Sequence, residues 1–246
     1  VHPSYVSYLM NKRTLSITEQ NEILQQIDEE KKLLYDKAYI ERLYLNYQAR
    51  ECNDEKDIAA LQELFGGRPL LVLGPGTSVV KNGERIEQCI AGTGAAVFSI
   101  NYIYRGGGER VNLFLTNSQR YVQLCTQLSK AGDSVTTVAT SNVTCTRGRF
   151  DFRVNYNSLI DKEQTDMPDN SLRMFLKLLE RIRPQKVYLA GFDGYTPDDV
   201  NYFDVNKEYS FVKEKADFLN EYGSRFIRES AKKLPIEFIT PTKYEI

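Results

Sequence analysis

Five short apolar runs, separated by segments with a helical pattern, constrain the fold of this chain more than any other feature. They cover residues 69–73, 95–100, 111–115, 135–139 and 186–190. Continuous apolar runs of this length are typical of strands buried on both faces of a parallel sheet. Helical patterns occupy 79–91, 119–131 and 171–183, and a last helix and strand are predicted over 211–233 and 236–239. The alternation predicts an α/β fold with a doubly wound, mostly parallel, Rossmann-like sheet.

Two segments depart from this alternation. A glycine loop at 106–108 joins the second run to the third in place of a helix. Residues 150–159 carry a mixed pattern, and the sequence leaves open whether they extend the sheet or form a lid.

The start of the chain differs in composition from the rest. Residues 18–50 are rich in Glu, Gln, Lys, Leu and Tyr, with apolar positions at helical intervals, and a shorter helix is predicted over 54–65, ending at Gly66. The sequence therefore predicts an N-terminal helical arm and linker over 1–66. It predicts a Rossmann-like nucleotide-binding domain over 67–246.

The overall charge of the chain is close to neutral, at -1 for 246 residues. A chain without a strong electrostatic field is not drawn to nucleic acid or to an anionic membrane, so neither is an expected partner. None of its apolar runs approaches the roughly 20 residues of a transmembrane helix, and its first residues lack the pattern of a secretory signal. The sequence therefore predicts a cytoplasmic protein without a transmembrane segment.

The number and spacing of cysteines and histidines limit the metal sites, disulfides and kinds of catalysis that this chain can have. The four cysteines are widely spaced without a C-x-x-C pair, which indicates reduced thiols and neither a zinc site nor a disulfide framework. The only histidine is His2, so Ser-His-Asp or Cys-His catalysis would have to recruit a residue at the extreme end of the chain. Both kinds of catalysis are set aside, and no metal site is expected.

A glycine-rich turn, Gly74-Pro75-Gly76-Thr77-Ser78, follows the first apolar run. Ligands of open α/β sheets bind beyond the carboxyl ends of the strands, glycines allow close backbone approach, and helix amides favour a phosphate. These features make Gly74, Gly76, Thr77 and Ser78 candidate nucleotide-binding residues. The turn is neither a Walker A motif nor a full G-x-G-x-x-G. The alternative is a purely structural turn that precedes the helix and binds no ligand.

Polar side chains follow other strands at the same predicted edge. Asn101 follows the second run, Asn117 follows the third, and Ser171 opens a helix. An asparagine amide donates and accepts at once, which suits a ribose hydroxyl or a base edge. Each position has an ordinary alternative as a turn residue or a helix cap, and Asn117 is an evident N-cap candidate.

The last buried run leads into a turn that contains Asp193 and Tyr195. The carboxylate of Asp193 can accept a hydrogen bond from a ribose or a base, and a plain turn aspartate is the alternative. The loop beyond it carries Tyr202 among the acidic residues Asp198, Asp199 and Asp204. This loop is interpreted first as a solvated connection and second as a lid over the site.

The order of these elements resembles a known family. Leu-Gly-Pro-Gly-Thr-Ser, Ser-Ile-Asn-Tyr, Leu-Thr-Asn, Asp-Asn-Ser and Tyr-Leu-Ala-Gly-Phe-Asp-Gly-Tyr follow one another within residues 70–202. This succession resembles the bacterial CMP-sialic-acid-dependent sialyltransferases and their Rossmann-like relatives. The resemblance implies contacts to the CMP part of a sugar nucleotide from Gly74, Gly76, Asn101, Asn117, Ser171 and Asp193. It also implies that Tyr195 and Tyr202 are catalytic and stabilise the departing phosphate.

One departure from that family concerns the catalytic base. The family uses a histidine towards the acceptor hydroxyl, and this chain has none after His2. Either a carboxylate such as Asp198, Asp199 or Asp204 takes the proton, or the domain binds a nucleotide without transferring a sugar.

The whole chain is also similar to the C-terminal module fused to bacterial aldolases of the 4-hydroxy-2-oxovalerate aldolase and hydroxymethylglutaryl-CoA lyase kind. Those aldolases use a barrel whose divalent metal is held by an Asp and a His-x-His pair, and this sequence contains no such set. The similarity implies an aldolase barrel as a partner in the full-length protein, and no carbon-carbon cleavage by this chain.

Three functions follow from these observations. The first is a sugar-nucleotide site with glycosyltransferase chemistry in surface-polysaccharide synthesis, and the second is a non-catalytic nucleotide-binding or regulatory module of an aldolase. The third, lyase activity, conflicts with the absent histidines. A nucleotide or CMP-sugar is the expected ligand, and no other cofactor is predicted. The helical arm is expected to dock against a barrel or against a second copy of the chain, and the sequence does not choose between them.

Overall fold

A single parallel sheet organises the part of the chain that the computed structural model describes, which is residues 50–104, 106, 111–145, 149–161, 167–205, 208 and 211–245. Seven strands form it in the order β5-β4-β3-β2-β1-β6-β7, and every neighbouring pair is parallel. The strands are β1 Pro69–Leu73, β2 Ala96–Ile100, β3 Val111–Leu115, β4 Val135–Thr140, β5 Phe152–Val154, β6 Lys186–Ala190 and β7 Ile236–Phe238.

Helices cover both faces of the sheet. They are α1 Glu55–Phe65, α2 Ser78–Lys81, α3 Gly83–Thr93, α4 Ser118–Ala131, α5 Tyr156–Leu159, α6 Ser171–Ile182, α7 Phe211–Glu214 and α8 Ala216–Ala231. Side chains of α1, α6 and α8 share one core cluster with one face of the strands. Side chains of α2, α3 and α4 pack against the other face. This arrangement confirms the predicted doubly wound, Rossmann-like α/β fold.

The chain reverses its direction across the sheet at β1. From β1 it proceeds through β2, β3 and β4 to β5, and it then returns to place β6 on the other side of β1. The connection after β1 enters α2 and α3 on one face, and the connection after β6 leads to α8 on the other. The carboxyl ends of β1 and β6 therefore flank the switch point, where open α/β sheets bind ligands.

The predicted strands agree closely with the observed ones. The runs at 69–73, 111–115 and 186–190 coincide with β1, β3 and β6, because strands covered on both faces are largely apolar. Residues 150–159, left open between a strand and a lid, contain the edge strand β5 and the short helix α5.

Two predicted helices are interrupted. The segment 79–91 divides into α2 and α3 at Asn82, whose φ of -119° and ψ of 31° are not helical, and whose side chain donates to the Ser78 carbonyl at 3.0 Å. The segment 211–233 divides into α7 and α8 at Lys215, with φ of -107° and ψ of 17°. The apolar pattern continues through both breaks, so periodicity alone does not reveal them.

Helix α1 belongs to the central core. It was predicted as part of the arm, and it buries Ile58, Leu61 and Phe65 in the cluster that contains α6. The rest of the predicted arm, up to residue 49, lies outside the described residues. Of the helices that are described, none is both long enough and apolar enough to cross a membrane.

An aromatic contact lies at the centre of the core. Phe175 of α6 is fully buried, and its ring lies 5.1 Å from that of Phe98 in β2 and 4.7 Å from that of Phe114 in β3. These contacts fix α6 over the middle of the sheet and so set where its first residue lies.

We expect Phe175→Ala to lower the free energy of unfolding by about 3–5 kcal/mol, because it leaves a cavity that the packed sheet cannot close. Val122→Ala, at a position that is 64% exposed, should change it by less than about 0.5 kcal/mol. Urea unfolding followed by circular dichroism measures both values. Equal losses in the two variants would contradict this account of the core.

Candidate functional site

A cavity of about 310 Å³, called the edge cavity below, lies at the carboxyl edge of the sheet. Its walls come from residues just after β1, β2, β3 and β6, from the start of α6, and from α7 and α8. This volume is at the lower end of the roughly 300–1,000 Å³ of small-molecule pockets. Five of the predicted site residues line it together: Asn101, Asn117, Ser171, Tyr195 and Tyr202.

A triangle of polar side chains forms one wall. The Asn101 amide nitrogen donates to the Thr116 hydroxyl at 3.0 Å and to the Ser171 hydroxyl at 3.1 Å, and those hydroxyl oxygens are 2.8 Å apart. The Asn101 oxygen accepts from the Thr116 amide at 3.0 Å. Asn101 has a φ of 60°, a left-handed conformation that asparagine tolerates better than most residues. Three connections from different parts of the chain therefore meet in one network.

The network has a surplus of donors. The two hydroxyls share one hydrogen bond, so only one of their protons is used in it, and both oxygens already accept from Asn101. Within the described residues the other hydroxyl proton meets no protein acceptor, and both Thr116 and Ser171 line the edge cavity. The wall therefore offers a hydroxyl donor to an occupant of the cavity.

Two further asparagines at this wall act as helix caps. The Asn117 oxygen accepts from the amides of Gln119 at 2.8 Å and Arg120 at 3.2 Å at the start of α4. Asn170 accepts from the Arg173 amide at 3.1 Å at the start of α6. The N-cap alternative for Asn117 is thus confirmed, and its side chain lines the cavity as well. Capping fixes the two helix starts that frame this wall.

Three tyrosines form another part of the lining, called the tyrosine wall: Tyr195, Tyr202 and Tyr244. The hydroxyl of Tyr195 is hydrogen-bonded to those of the other two, and the rings of Tyr195 and Tyr202 are 6.4 Å apart. Burial raises the pKa of both Tyr195 and Tyr244 above the ordinary value of a phenol. Both groups are therefore neutral phenols at neutral pH, and the Tyr195 hydroxyl donates to that of Tyr244.

The loop that carries Tyr202 packs on the glycine turn. Tyr202 forms an isolated antiparallel bridge with Gly76, and the Phe203 amide donates to the Pro75 carbonyl at 3.0 Å. The ring of Phe203 meets that of Tyr102 edge-on, with centroids 5.1 Å apart. Tyr202 lines the edge cavity, whereas Asp198 and Asp199 in the same loop are exposed.

The glycine turn is held by the carboxylate of Asp193. That carboxylate accepts from the Ser78 amide at 2.9 Å, from the Thr77 hydroxyl at 3.4 Å, and from the Ser78 hydroxyl. The amides of Gly74 and Gly76 donate to the carbonyls of Ala190 and Gly191, each at 2.8 Å. The turns after β1 and β6 are therefore joined directly to each other.

These contacts differ from the phosphate cradle that the sequence predicts for the turn. The amides of Gly74, Gly76 and Ser78 are bonded within the protein, and a protein carboxylate occupies the position expected for a phosphate oxygen. The helix behind the turn, α2, is only four residues long, so its dipole is small. Gly74, Gly76, Thr77, Ser78 and Asp193 lie outside the lining of the edge cavity, to which Pro75 contributes.

The three carboxylates that the sequence offers as a catalytic base lie away from the edge cavity. Asp198, Asp199 and Asp204 do not line the edge cavity, whereas Asp169, just before α6, does. Asp169 accepts a hydrogen bond from the Tyr156 hydroxyl at 3.2 Å. Within the described ranges, no group of three or more His, Cys, Asp or Glu side chains is arranged to hold a metal ion.

Three residues that line the edge cavity were not singled out from the sequence. Thr116 lies between the end of β3 and the N-cap of α4, a position that the motif Leu-Thr-Asn already contained. Arg120 is 7% exposed, and a buried arginine inside an amphipathic helix pattern carries no distinct signal. Tyr244 is distant in sequence and reaches the cavity because Lys243 donates from its amide to the Asp193 carbonyl at 2.9 Å.

Comparison with protein-family models and with curated proteins finds no match to this chain. The fold and the cavity together define a Rossmann-like α/β protein with a cavity of small-molecule size at the carboxyl edge of its sheet.

We expect Gly76→Ala to destabilise the fold by roughly 1–3 kcal/mol through overpacking. A Cβ at this position would lie 2.6 Å from the Asp193 carboxylate and 2.6 Å from the Gly191 carbonyl oxygen. Gly92→Ala in α3, where a Cβ meets nothing within 4 Å, should instead stabilise by about 0.5–1 kcal/mol. Urea unfolding measures both. A neutral Gly76→Ala would show that the two turns are not packed together as described.

Proposed function

We propose that this protein is a sugar-nucleotide-binding domain whose edge cavity takes a CMP-sugar or a related nucleotide. The observation that carries the proposal is the convergence of Asn101, Asn117, Ser171, Tyr195 and Tyr202 on one cavity. These residues were selected from the sequence alone, and they come from five separate segments. The position of the cavity beside β1 and β6 supports the same conclusion, because nucleotides bind doubly wound sheets at such an edge.

The nucleoside is assigned to the wall formed by Asn101, Thr116 and Ser171. The hydroxyl donor that this wall offers suits an acceptor on a ribose or a pyrimidine base. Aromatic side chains in the cavity lining, among them Phe192 and Phe226, supply apolar surface for a ring. A cavity with a few placed polar groups and an apolar remainder is typical of small-molecule sites.

The phosphate is assigned to the tyrosine wall, and not to the glycine turn. Tyr195 and Tyr202 line the cavity, and Tyr195 is a neutral phenol whose pKa burial raises further above its ordinary value. Neutral phenol donors stabilise charge that develops on a departing phosphate without themselves adding charge. The glycine turn, closed by Asp193, then serves as the floor that positions Pro75 and the Tyr202 loop.

Transfer of the sugar requires a base for the acceptor hydroxyl. Of the described carboxylates, Asp169 lines the edge cavity, and it replaces Asp198, Asp199 and Asp204 as the candidate. A carboxylate within reach of the acceptor takes the proton as the glycosidic bond forms and CMP leaves.

A non-catalytic role is the second candidate. It is favoured by the exposure of Asp198 and Asp199 and by the hydrogen bond that already engages Asp169 with Tyr156. In that case the domain binds a nucleotide as a regulatory module of an attached aldolase barrel.

We expect CMP to bind the protein in isothermal titration calorimetry, and Ser171→Ala to weaken binding roughly tenfold. The substitution removes a member of the hydroxyl pair, and a hydrogen bond of this kind contributes about 0.5–1.5 kcal/mol. Ser129→Ala, on the exposed face of α4, is the matched control and should bind as the parent protein does. No heat from CMP, CDP, UDP or GDP would remove the nucleotide proposal.

Release of CMP separates transfer from binding. If the protein is a transferase, incubation with CMP-activated nonulosonic acids or Kdo and an acceptor releases CMP, and Tyr202→Phe lowers the rate by at least about tenfold, since it removes a phenol donor. Phe203→Leu, in the same loop, is the control. Binding of CMP without turnover would favour the regulatory role.

A further inference from the structure

A second cavity, of about 640 Å³, lies at the same edge of the sheet beyond β4. It is called the arginine cavity because Arg50, Arg149 and Arg153 line it. Its other polar lining includes Ser141 and Asn142, which directly follow β4. No residue of the predicted nucleotide site contributes to this cavity, so it requires an explanation of its own.

The three guanidinium groups lack carboxylate partners among the described residues. Arg50 lies over the ring of Tyr156, with its guanidinium carbon 5.2 Å from the ring centroid, and Arg153 donates to the Ser141 carbonyl at 3.0 Å. Neither these two nor Arg149 takes part in an ion pair within the described ranges. Three other arginines do form ion pairs with Asp or Glu: Arg173, Arg181 and Arg228.

Two carboxylates also line the arginine cavity, and both already accept from the backbone. Asp57 accepts from the Arg153 amide at 3.0 Å, which ties α1 to the edge strand β5. Asp151 accepts from the amide and the hydroxyl of Thr137, each at 2.7 Å. The two acids hold the edge of the sheet, and the lining retains one more positive charge than negative charge.

The arginine cavity is built on the network of the edge cavity. The Asn142 amide nitrogen donates to the Thr116 carbonyl at 2.9 Å, and the Ser118 hydroxyl donates to the Asn142 carbonyl at 3.3 Å. Asn142 lines the arginine cavity and Thr116 lines the edge cavity, so one layer of side chains separates the two.

We infer that the arginine cavity binds the phosphate group of a phosphorylated small molecule. Guanidinium groups bind oxyanions through parallel pairs of N–H donors, and positive side chains that line one cavity are stabilised by an anion within it. A phosphate group presents three acceptor oxygens, which three guanidinium groups can share, whereas a carboxylate presents two. The volume exceeds what a phosphate alone needs, and this leaves room for the rest of an ester. This inference does not depend on the proposed function of the edge cavity.

Titration of the full chain with inorganic phosphate at constant ionic strength, followed by ³¹P NMR, tests the inference. We expect a dissociation constant on the order of 1 mM, which corresponds to about 4 kcal/mol. Arg149→Gln should weaken binding about tenfold, and the double variant Arg149→Gln, Arg153→Gln should weaken it further. The paired control Arg68→Gln, Arg85→Gln removes equal charge away from the cavity and should leave the constant unchanged.

Three results would overturn the inference: no phosphate binding by the parent protein, equal binding by Arg149→Gln, and binding of acetate as strong as that of phosphate. Arg149 makes no hydrogen bond or ion pair within the described ranges, so its single substitution leaves the fold intact. Ser171→Ala distinguishes the two cavities. Phosphate binding that this variant loses, and that the arginine variants keep, would place phosphate in the edge cavity and also contradict the inference.

Discussion

The carboxylate of Asp193 joins the two connections that leave the sheet at its switch point. It accepts from the Ser78 amide and from both hydroxyls of the turn after β1, while Gly191 accepts from Gly76. Because the turn is closed in this way, the loop that carries Tyr202 has a fixed surface on which to pack. The position of Tyr202 in the cavity wall depends on that surface.

The same interaction leaves no open space at the turn, and the edge cavity lies beside it. In doubly wound proteins the amides after the first strand are a common phosphate site, because the following helix directs its positive end there. Here that helix is four residues long and the amides are occupied. The open space lies instead between the start of α6 and the tyrosine wall. Phe175 in the core determines where α6 begins and thus where Ser171 meets Asn101.

The sequence predicts the fold well because strands buried on both faces of a parallel sheet are largely apolar. It also predicts that Asn101, Asn117 and Ser171 lie at one edge, since the carboxyl ends of parallel strands are neighbours. It does not reveal that Asp193 binds the turn, because the same aspartate at a strand end suits a ligand or the protein's own backbone. The contribution of Tyr244 is not predictable from local pattern, since it depends on where the end of the chain packs.

An electron-density map from crystals soaked with CMP tests the central claim most directly. The account predicts density in the edge cavity, in contact with the hydroxyls of Thr116 or Ser171 and with Tyr195 or Tyr202, while Asp193 remains bonded to Ser78. Density for the phosphate on the amides of Gly76 and Ser78, with Asp193 displaced, would contradict it. A cavity without nucleotide density would contradict it as well.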